Sequence, residues 1–249
     1  MKAMILAAGL GTRLRPLTDD RPKALVEVGG RTMLEIALTR LRGFGIREVI
    51  VNTHHYAEMV EEWLRAHAPS DMRIEISRED ELLDTGGGLK KAAWFLQEPA
   101  PDANEPFLLH NVDVLSTIDF AAMVEAHRRI GALATLAVQD RKTSRYLLFD
   151  REGKLCGRRA GREAAPEMAH PVSDPIALAF AGIHVISPRI FSLLEEEGAF
   201  SIIPAYLRLA AQGESIVAFR ADEYYWRDLG KPEHVEQAAQ EIVASIYTG

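Results

Sequence analysis

Short runs of apolar residues alternate with amphipathic segments over the first 140 residues of the chain. Ala3–Ala8 and Glu48–Asn52 are apolar over too few residues for a helix and predict buried strands. Thr32–Phe44 instead repeats leucine at positions i, i+4 and i+7, which predicts a helix with one apolar face. The same patterns predict strands over Arg73–Ser77, Pro106–His110 and Leu133–Val138, and helices over Ala57–Ala66, Leu89–Leu96 and Phe120–Ile130. Because this alternation is typical of βαβ units, we expect an α/β fold, a Rossmann-like, mostly parallel (mixed) sheet with helices on both faces.

The pattern changes after residue 140. A polar segment, Arg151–Gly153, separates two short strand-like segments and predicts a hairpin. Ile176–Ile186 predicts a long apolar strand, and Ile202–Ala211 predicts a helix. A C-terminal helix is expected to begin at Pro232, since proline is favoured in the first helical turn. The chain contains no internal repeat, low-complexity tract or linker, so we interpret residues 1–249 as a single domain with a more variable part after residue 140.

Composition narrows the class of protein. Hydrophobic residues make up 47% and charged residues 26% of the 249 positions, as in soluble globular proteins. The formal net charge of −7 argues against a protein whose whole surface binds DNA or RNA. No apolar stretch approaches the roughly 20 residues that span a bilayer, and the N-terminus lacks the apolar core of a signal peptide. The single cysteine, Cys156, cannot form a disulfide within the chain, so we expect a cytoplasmic protein. From the net charge and the short apolar stretches we expect neither nucleic-acid nor membrane partners.

A glycine loop follows the first predicted strand. Gly9 and Gly11 lie in the string LAAGLGTRLRPLT, where glycine lets the backbone approach a ligand and present N–H groups to phosphate oxygens. Leu14 stands where a dinucleotide-binding loop needs its third glycine, and the Gly-Lys-Ser/Thr of a Walker A loop is absent. Arg13 and Arg15 add positive charge beside the loop. An ordinary strand-to-helix turn explains the two glycines but not the arginines, so we interpret the loop as a polyphosphate site.

A lysine follows this loop in the segment RPKAL. Pro22 stiffens the backbone before Lys23, and a lysine ammonium is a compact charge suited to a phosphoryl group in transfer. The alternative is a solvated surface lysine, which is the commonest situation for this residue type.

The residues from Leu6 to Lys23 resemble the signature of the sugar-phosphate nucleotidyltransferases, (L)AAGxGTRLxPLT…PK. The resemblance implies transfer of a nucleotidyl group from a nucleoside triphosphate to a sugar 1-phosphate, with release of pyrophosphate. It implies that Arg13 and Lys23 are catalytic, Arg13 at the leaving pyrophosphate and Lys23 at the α-phosphate. Attack by an already ionised phosphate needs positioning and charge neutralisation more than a general base. The nucleotide-binding residues that the resemblance implies in the loop are Leu6, Ala7, Ala8, Gly9, Gly11 and Thr12.

Three consecutive glycines precede the helix predicted over Leu89–Leu96. Bare N–H groups at a helix start suit close contact with a base edge or a ribose, and glycine without such a purpose costs about 1 kcal/mol relative to alanine in a helix interior. The resemblance implies that this segment holds the base and ribose through Asp84, Thr85 and Gly86. Glu79 is placed like the family's base-reading side chain, where a carboxylate can accept from uracil N3–H. A solvated surface glutamate is the alternative.

Two aspartates far apart in the sequence are candidates for one metal site. Asp113 follows the strand predicted over Pro106–His110, and ligands in α/β sheets bind at the carboxyl ends of strands. Asp228 lies in the block WRDLGKPE, which resembles the family's W-x-D-x-G-x-P-E. The resemblance implies that both carboxylates bind Mg²⁺, a hard cation that prefers oxygen ligands. The alternative for Asp113 is a cap of the following helix, and Val112 stands where the family usually has glycine.

The acceptor side of the site is less clearly marked. Phe180–Ile183 resembles the family's strand beside the sugar, which implies that Gly182 lines the sugar site; a small residue in a packed strand is the alternative. The family's frequent Glu-Lys pair for the sugar phosphate has no clear match. We assign this phosphate to Arg145, and the open alternatives are Lys142, Ser144, Arg158 and Arg159. The resemblance thus divides the domain into a nucleotide-binding part, residues 1–140, and a sugar-binding part with the C-terminal helix, residues 141–249.

The resemblance is nearest to the compact N-acetylmuramate-1-phosphate uridylyltransferases, because of the chain length and the string LLDTGGG. It predicts a uridylyltransferase acting on N-acetylmuramate 1-phosphate. A guanylyltransferase acting on mannose or heptose 1-phosphate, or a cytidylyltransferase acting on a non-sugar phosphate, stays open because the loop motifs contact the triphosphate rather than the acceptor. A metal-dependent glycosyltransferase would need Asp-x-Asp at the strand end, and the intact charged residues argue against a non-catalytic nucleotide-sugar sensor. The oligomeric state stays open.

Overall fold

The computed structural model describes residues 1–99, 102, 104–161 and 163–243, so residues 244–249 of the predicted domain lie outside the described ones. The strands are β1 (Lys2–Leu6), β2 (Glu27–Val28), β3 (Arg31–Thr32), β4 (Glu48–Thr53), β5 (Arg73–Arg78), β6 (Phe107–Asn111), β7 (Val114–Ser116), β8 (Ala134–Gln139), β9 (Arg145–Phe149), β10 (Leu155–Ala160), β11 (Glu167–Met168), β12 (Ile176–Ile186), β13 (Ile216–Arg220) and β14 (Trp226–Asp228). The helices are α1 (Met33–Gly43), α2 (Ala57–His67), α3 (Asp84–Lys91), α4 (Ala93–Leu96), α5 (Phe120–Ile130), α6 (Ile202–Ala211) and α7 (Pro232–Val243). Across the described residues, none of these helices has both the length and the apolar character needed to cross a membrane.

The main sheet is mixed, which confirms the predicted fold class. β5, β4, β1 and β6 form a block of parallel strands, and helices connect them because parallel neighbours need a crossover. β12 lies antiparallel beside β6 and begins the second half of the sheet. In that half, β8 and β9 each pair antiparallel with β12, β10 pairs antiparallel with β9, and β11 pairs antiparallel with β10. β13 pairs parallel with β8.

Helices cover both faces of the sheet, as predicted. Successive residues of a strand point to opposite faces. Ala3 and Ile5 of β1 therefore join a core with α1, α2, α5 and α7, whereas Met4 joins a second core with α3, α4 and α6. All three side chains are fully buried.

Most predicted elements lie within two residues of their observed bounds, and the elements predicted over Phe120–Ile130, Ile176–Ile186 and Ile202–Ala211 match at both ends. The helix predicted over Leu89–Leu96 is the exception. It begins at Asp84, so it contains the three glycines that the sequence places before it, and it is interrupted at Ala92 before α4. The short strands β2, β3, β7 and β11 were not predicted, because two or three residues carry no readable periodicity.

The parallel strands bring three chain segments to one edge. The register places Leu6 at the end of β1 beside Asn52 of β4 and Asn111 of β6. The segments that follow these strands therefore start side by side, at the carboxyl edge where α/β sheets bind ligands.

Three buried histidines make the stability of the fold depend on pH. Burial lowers the pKa of His110 and His127 from 6.5 to about 4 and that of His184 to about 3. The unfolded chain takes up these protons below pH 6.5 whereas the folded protein does not, so stability is lost as the pH falls. We expect the free energy of unfolding, measured by urea denaturation, to drop by about 1–2 kcal/mol per histidine between pH 7 and pH 5.

Of the three histidines, His127 of α5 is the one to replace. Its Nδ1 lies within hydrogen-bond distance of Thr135 Oγ1, at 3.0 Å. His127→Gln should reduce the loss of unfolding free energy between pH 7 and pH 5 by the amount expected for one histidine, about 1–2 kcal/mol. The same change at the exposed His67 of α2 is the matched control and should leave it unaltered. An unchanged pH dependence in His127→Gln would show that burial of this ring is not its cause.

Candidate active site

A cleft of about 640 Å³ opens at the carboxyl edge of the parallel strands. This volume lies within the roughly 300–1,000 Å³ of small-molecule sites. Gly11 and Thr12 line a smaller neighbouring cavity that shares Arg13 and Lys23 with the cleft. The structure thus brings together most of the residues that the sequence assigns to nucleotide binding and catalysis. The residues that line the cleft are Leu6, Ala8, Gly9, Arg13, Lys23, Asn52, Glu79, Leu82, Asp84, Thr85, Asn111, Val112, Asp113 and Ala199.

The glycine loop turns back onto Lys23. Gly11 has a φ of 66°, in the left-handed region that favours glycine. A Cβ on Gly11 would lie 2.9 Å from Thr18 Cγ2 and 3.2 Å from Lys23 Cβ. The hydroxyl of Thr18 donates to the Gly11 carbonyl oxygen at 2.9 Å, and the N–H of Leu14 donates to the same oxygen at 2.8 Å. The loop is therefore held against the lysine by its own backbone.

Glu79 is buried, at 2% exposure, so the solvated surface alternative is wrong. Its Oε1 accepts from Asn52 Nδ2 at 2.7 Å, and its Oε2 accepts from the N–H of Leu83 at 2.9 Å. Asn52 Oδ1 in turn accepts from the N–H of Ala7 at 2.7 Å. This chain of hydrogen bonds links the glycine loop to the segment before α3. Ala7 takes part through its backbone, and the Glu79 carboxylate lines the cleft in a fixed position.

The glycines of α3 do not present free N–H groups, which corrects the sequence expectation for Gly86. The N–H groups of Gly86 and Gly87 both donate to the Phe200 carbonyl oxygen, at 2.9 and 3.2 Å. A Cβ on Gly86 would overlap the Phe200 ring, and one on Gly88 would lie 2.7 Å from Glu79 Oε1. Glycine is needed here because α3 packs closely on the chain before α6, not because a ligand needs these donors.

Asp84 and Thr85 begin α3 at the cleft. Asp84 has a φ of 58°, which is uncommon for a residue other than glycine, and its Oδ1 accepts from the N–H of Thr85 at 2.6 Å. The hydroxyl oxygen of Thr85 accepts from the N–H of Ile202 at 3.0 Å. Both residues line the cleft, and Thr85 also fastens α3 to the first turn of α6.

Gly87→Ala is expected to destabilise the protein by about 1–3 kcal/mol, the usual range for overpacking. The reason is that a Cβ at this position would overlap the Gly198 carbonyl oxygen, which belongs to the backbone and cannot rotate away. Urea denaturation measures the loss. Gly43→Ala in the last turn of α1, where a Cβ meets nothing within 4 Å, is the matched control. It should be neutral or stabilise by up to about 1 kcal/mol, and equal stability of the two variants would contradict the close packing of α3.

Lys23 and Asp113 form an ion pair at the base of the cleft. Their side chains are only 17% and 12% exposed, so Lys23 is not the solvated surface lysine of the alternative interpretation. Asp113 does not cap α5 either. That role belongs to Asp119, whose Oδ1 accepts from the N–H of Ala122 at 3.0 Å.

Val112 fits beside Asp113 although the family usually has glycine there. Its side chain is buried in the core that α1 and α5 share. Its N–H donates to the Leu6 carbonyl oxygen at 3.1 Å, so the backbone stays against β1. The valine therefore leaves the position of the neighbouring carboxylate intact.

The segment that carries Asp228 pairs with the segment that carries Asp113. β14 runs antiparallel to β7, and the N–H of Leu229 donates to the Asp113 carbonyl oxygen at 2.8 Å. Asp228 Oδ1 accepts from the N–H of Gly230 at 2.6 Å. A Cβ on Gly230 would lie 2.7 Å from both Asp228 Oδ1 and Arg13 Nη2. The absence of a side chain at Gly230 therefore leaves room for both the Arg13 guanidinium and the Asp228 carboxylate, in addition to the place of this glycine in the turn.

Asp113 and Asp228 line a second cavity of about 270 Å³, which adjoins the cleft through Arg13 and Asn111. Within the described ranges there is no cluster of three or more His, Cys, Asp or Glu residues suited to a metal. A hard cation between the two carboxylates would take its other ligands from substrate oxygens and water, as Mg²⁺ at phosphate sites does. The donor set therefore fits the predicted ion.

Arg141 is a cation of the second cavity that the sequence interpretation missed. Its Nη2 donates to the Phe180 carbonyl oxygen at 2.8 Å, and its Cζ lies 3.5 Å from the centroid of the Trp226 ring. The indole N–H of Trp226 is fixed by the Ala181 carbonyl oxygen at 2.8 Å. Burial lowers the pKa of the Arg141 guanidinium, and the charge of Asp228 opposes that shift. In the part of the chain that is described, the buried Nε of Arg141 has no hydrogen-bond partner.

Gly182 and Arg145, the two residues that the sequence assigns to the acceptor, both line this second cavity. Gly182 has a φ of 73° at an irregular point of β12, and a Cβ there would lie 2.8 Å from Asn111 Nδ2. The backbone conformation therefore requires glycine at position 182, and the residue also forms part of the cavity wall. Arg145 additionally lines a third cavity, of about 520 Å³.

The other candidates for the sugar phosphate separate into two groups. Arg158 and Arg159 line the third cavity rather than the second. Lys142 and Ser144 are exposed on the loop before β9. Arg145 is therefore the predicted residue that the structure places beside the two aspartates.

The residues that sequence interpretation missed share one signal. Asn52 and Asn111 stand at the ends of β4 and β6, and Arg141 stands two residues after β8. Each is a polar residue where an apolar strand ends. Such residues converge when the strands are neighbours, which the sequence alone does not reveal for β8.

Known proteins with similar sequences or folds identify the class. A family model described as "Nucleotidyl transferase" matches residues 2–245. The N-acetylmuramate alpha-1-phosphate uridylyltransferase of Caulobacter vibrioides is 34% identical over 244 residues, which are 93% of this chain and 92% of that protein. The mannose-1-phosphate guanylyltransferase of Mycobacterium tuberculosis is 29% identical over 248 residues, which are 98% of this chain and 65% of that protein. The UDP-glucose pyrophosphorylase structure from Acinetobacter baumanii shares the fold, with a TM-score of 0.80 at 19% identity over 99% of this chain and 94% of that one.

The chain therefore belongs to the nucleotidyl transferase family. Its relatives are sugar-phosphate nucleotidyltransferases, which confirms the predicted enzyme class. Such enzymes use a nucleoside triphosphate and a sugar 1-phosphate, and the relatives named above differ in both the nucleotide and the sugar.

Proposed function

We propose that this protein transfers the uridylyl group of UTP to N-acetylmuramate 1-phosphate and releases pyrophosphate. The observation that carries the proposal is the convergence of Arg13, Lys23, Asp113 and Asp228 on adjoining cavities at the carboxyl edge of the sheet. The choice of substrates is supported by the relative that is 34% identical over nearly the whole of both chains.

The glycine loop and two cations hold the triphosphate. Backbone N–H groups at Gly9 and Gly11 suit phosphate oxygens, and Arg13 is available to the leaving pyrophosphate. Lys23, which is paired with Asp113, would contact the α-phosphate. Folding already holds these charged groups in place, so they reorganise little when the negative charge of the transition state develops.

Asp113 and Asp228 would hold Mg²⁺. When bound, the ion neutralises negative charge where the two substrates' phosphates meet. The two carboxylates come from segments that pair through β7 and β14, so the protein fixes their separation before any ligand arrives.

Arg141 and Arg145 receive the acceptor phosphate in the second cavity. A phosphate oxygen of the acceptor forms a bond to the α-phosphorus, the bond from that phosphorus to the β-phosphate oxygen breaks, and pyrophosphate leaves. The attacking oxygen is already ionised, so positioning by the two arginines replaces a general base. The stacking of Arg141 on Trp226 gives this positioning a rigid support.

Glu79 supports the choice of a uracil base. Its carboxylate is an acceptor only, and Asn52 and Leu83 fix its orientation at the wall of the cleft. Each carboxylate oxygen has a second lone pair, which can accept from uracil N3–H.

A grid of initial rates tests the proposal. Four nucleoside triphosphates are each combined with N-acetylmuramate, glucose, mannose and heptose 1-phosphates and with phosphocholine, and pyrophosphate release is measured with Mg²⁺. We expect the highest kcat/KM for UTP with N-acetylmuramate 1-phosphate. A maximum at GTP with mannose or heptose 1-phosphate would replace the proposal with guanylyl transfer, and a maximum at CTP with phosphocholine would replace the sugar by a non-sugar phosphate.

A further inference from the structure

The third cavity, of about 520 Å³, has no part in the transfer described above. It lies between β9, β10 and the first turn of α6, and it shares Arg145 and Phe180 with the second cavity. A ligand that occupies the second cavity can therefore extend into the third. The sugar is the end of the acceptor that points away from the reacting phosphate, so the third cavity would receive a substituent of the sugar.

The register of β9 and β10 determines which side chains face this cavity. Arg158 lies opposite Leu147, and directly opposite residues of antiparallel strands share a face. Arg145 lies two residues before Leu147 on β9 and shares that face too. Because Leu147 belongs to the core that α6 covers, both arginines lie on the α6 side. Arg159 lies opposite Tyr146, on the other face of the strand pair, and these two residues also line the cavity.

The guanidinium of Arg158 is fixed at its Nε and has its two terminal nitrogens available to a carboxylate. Its Nε donates to Glu167 Oε2 at 2.6 Å, which fixes the guanidinium by one edge. Across the described ranges no protein group bonds its two terminal nitrogens. Such a pair of nitrogens binds a carboxylate through two parallel hydrogen bonds. Three arginines and one glutamate line this cavity, in a chain whose net charge is −7.

The remainder of the cavity is largely apolar. Leu147, Phe180 and Ile203 line it, and Ser201 stands at the start of α6, where the helix adds a partial positive charge. A neutral hydroxyl-bearing sugar would leave the apolar surface uncovered and would not pair with the two terminal nitrogens of Arg158. A short apolar group that ends in a carboxylate satisfies both.

We infer that Arg158 selects the acceptor of the proposed transfer by binding the carboxylate of the ether substituent on its sugar ring. Arg145 stands where the two cavities meet. The inference rests on the proposed function and names a specificity-determining residue of that same site. It explains why a cation lies on the sugar side but away from the reacting phosphates.

Two acceptors that differ only in this substituent provide the test. N-acetylmuramate 1-phosphate carries a lactyl ether, and N-acetylglucosamine 1-phosphate has a hydroxyl in its place. We expect the wild-type enzyme to prefer the acidic acceptor in kcat/KM by at least about tenfold, and Arg158→Gln to lose about 10–100-fold on the acidic acceptor alone, as expected for a hydrogen bond to a charged group. Arg158→Lys keeps the charge without the paired donors and should lose less. Arg151→Gln, on the β9–β10 hairpin with an 81% exposed side chain, is the matched control and should change neither value.

Thermal unfolding of each variant checks that the protein is folded. Equal use of both acceptors by the wild type, or equal losses on both in Arg158→Gln, would overturn the inference while the proposed uridylyl transfer stands. Absence of pyrophosphate release with every sugar 1-phosphate would overturn the proposed function itself, and the inference with it.

Discussion

Lys23→Met is expected to lower kcat for pyrophosphate release by roughly 10²–10³-fold, the usual effect of removing one charged donor aimed at a transition state. The Lys23 side chain is only 17% exposed and is paired with Asp113, and both residues line the cleft. Methionine keeps most of the side-chain volume, which matters because the glycine loop lies close to this side chain: a Cβ added to Gly11 would lie 3.2 Å from Lys23 Cβ. The expected loss is therefore one of charge rather than of packing.

Steady-state kinetics at saturating substrates measures the loss, and thermal unfolding separates it from instability. Lys91→Met is the matched control, because Lys91 is exposed at the far end of α3 and should keep wild-type turnover. A Lys23→Met enzyme that is folded and retains kcat within threefold of the wild type would remove this lysine from the chemistry.

Asp113→Asn is expected to abolish metal-dependent turnover, with a loss of at least about 10³-fold, because it removes one of two carboxylates that face the same cavity and leaves Lys23 without its partner. A binding measurement makes the test independent of turnover. Binding of Mn²⁺ to the enzyme–nucleotide complex, followed by electron paramagnetic resonance, should weaken by an order of magnitude or more. Asp228→Asn should behave in the same way, since the two segments pair through β7 and β14.

Asp119→Asn is the matched control for both aspartates. Asp119 caps α5, and asparagine is an equally good cap, so neither stability nor Mn²⁺ binding should change. Undiminished Mn²⁺ affinity in both Asp113→Asn and Asp228→Asn would place the metal elsewhere.

The parts of the fold and site that were predictable are those that depend on local sequence. Periodicity located α5, β12 and α6 at both ends, because each has a continuous apolar pattern. The glycine loop and the two aspartates were predictable because a motif and a strand end mark each of them. Their convergence followed from the rule that ligands bind at the carboxyl ends of parallel strands.

The rest depends on contacts between distant segments, which a pattern does not contain. The glycines of α3 were expected to present free donors, yet their N–H groups bond the Phe200 carbonyl more than a hundred residues away. Glu79 was as consistent with a surface residue as with a buried one until Asn52 and Leu83 were known to hold it. Arg141 was missed because its partners, Trp226 and Phe180, come from strands far along the chain.

The most direct test of the transfer is the stoichiometry of its products. UTP and N-acetylmuramate 1-phosphate are incubated with the wild-type enzyme in the presence of Mg²⁺ or of a chelator, and pyrophosphate and nucleotide sugar are quantified together. We expect one pyrophosphate for each UDP-sugar formed, only when both substrates and Mg²⁺ are present. Pyrophosphate release without the sugar 1-phosphate, or the absence of any nucleotide sugar although the nucleotide binds, would contradict nucleotidyl transfer to this acceptor.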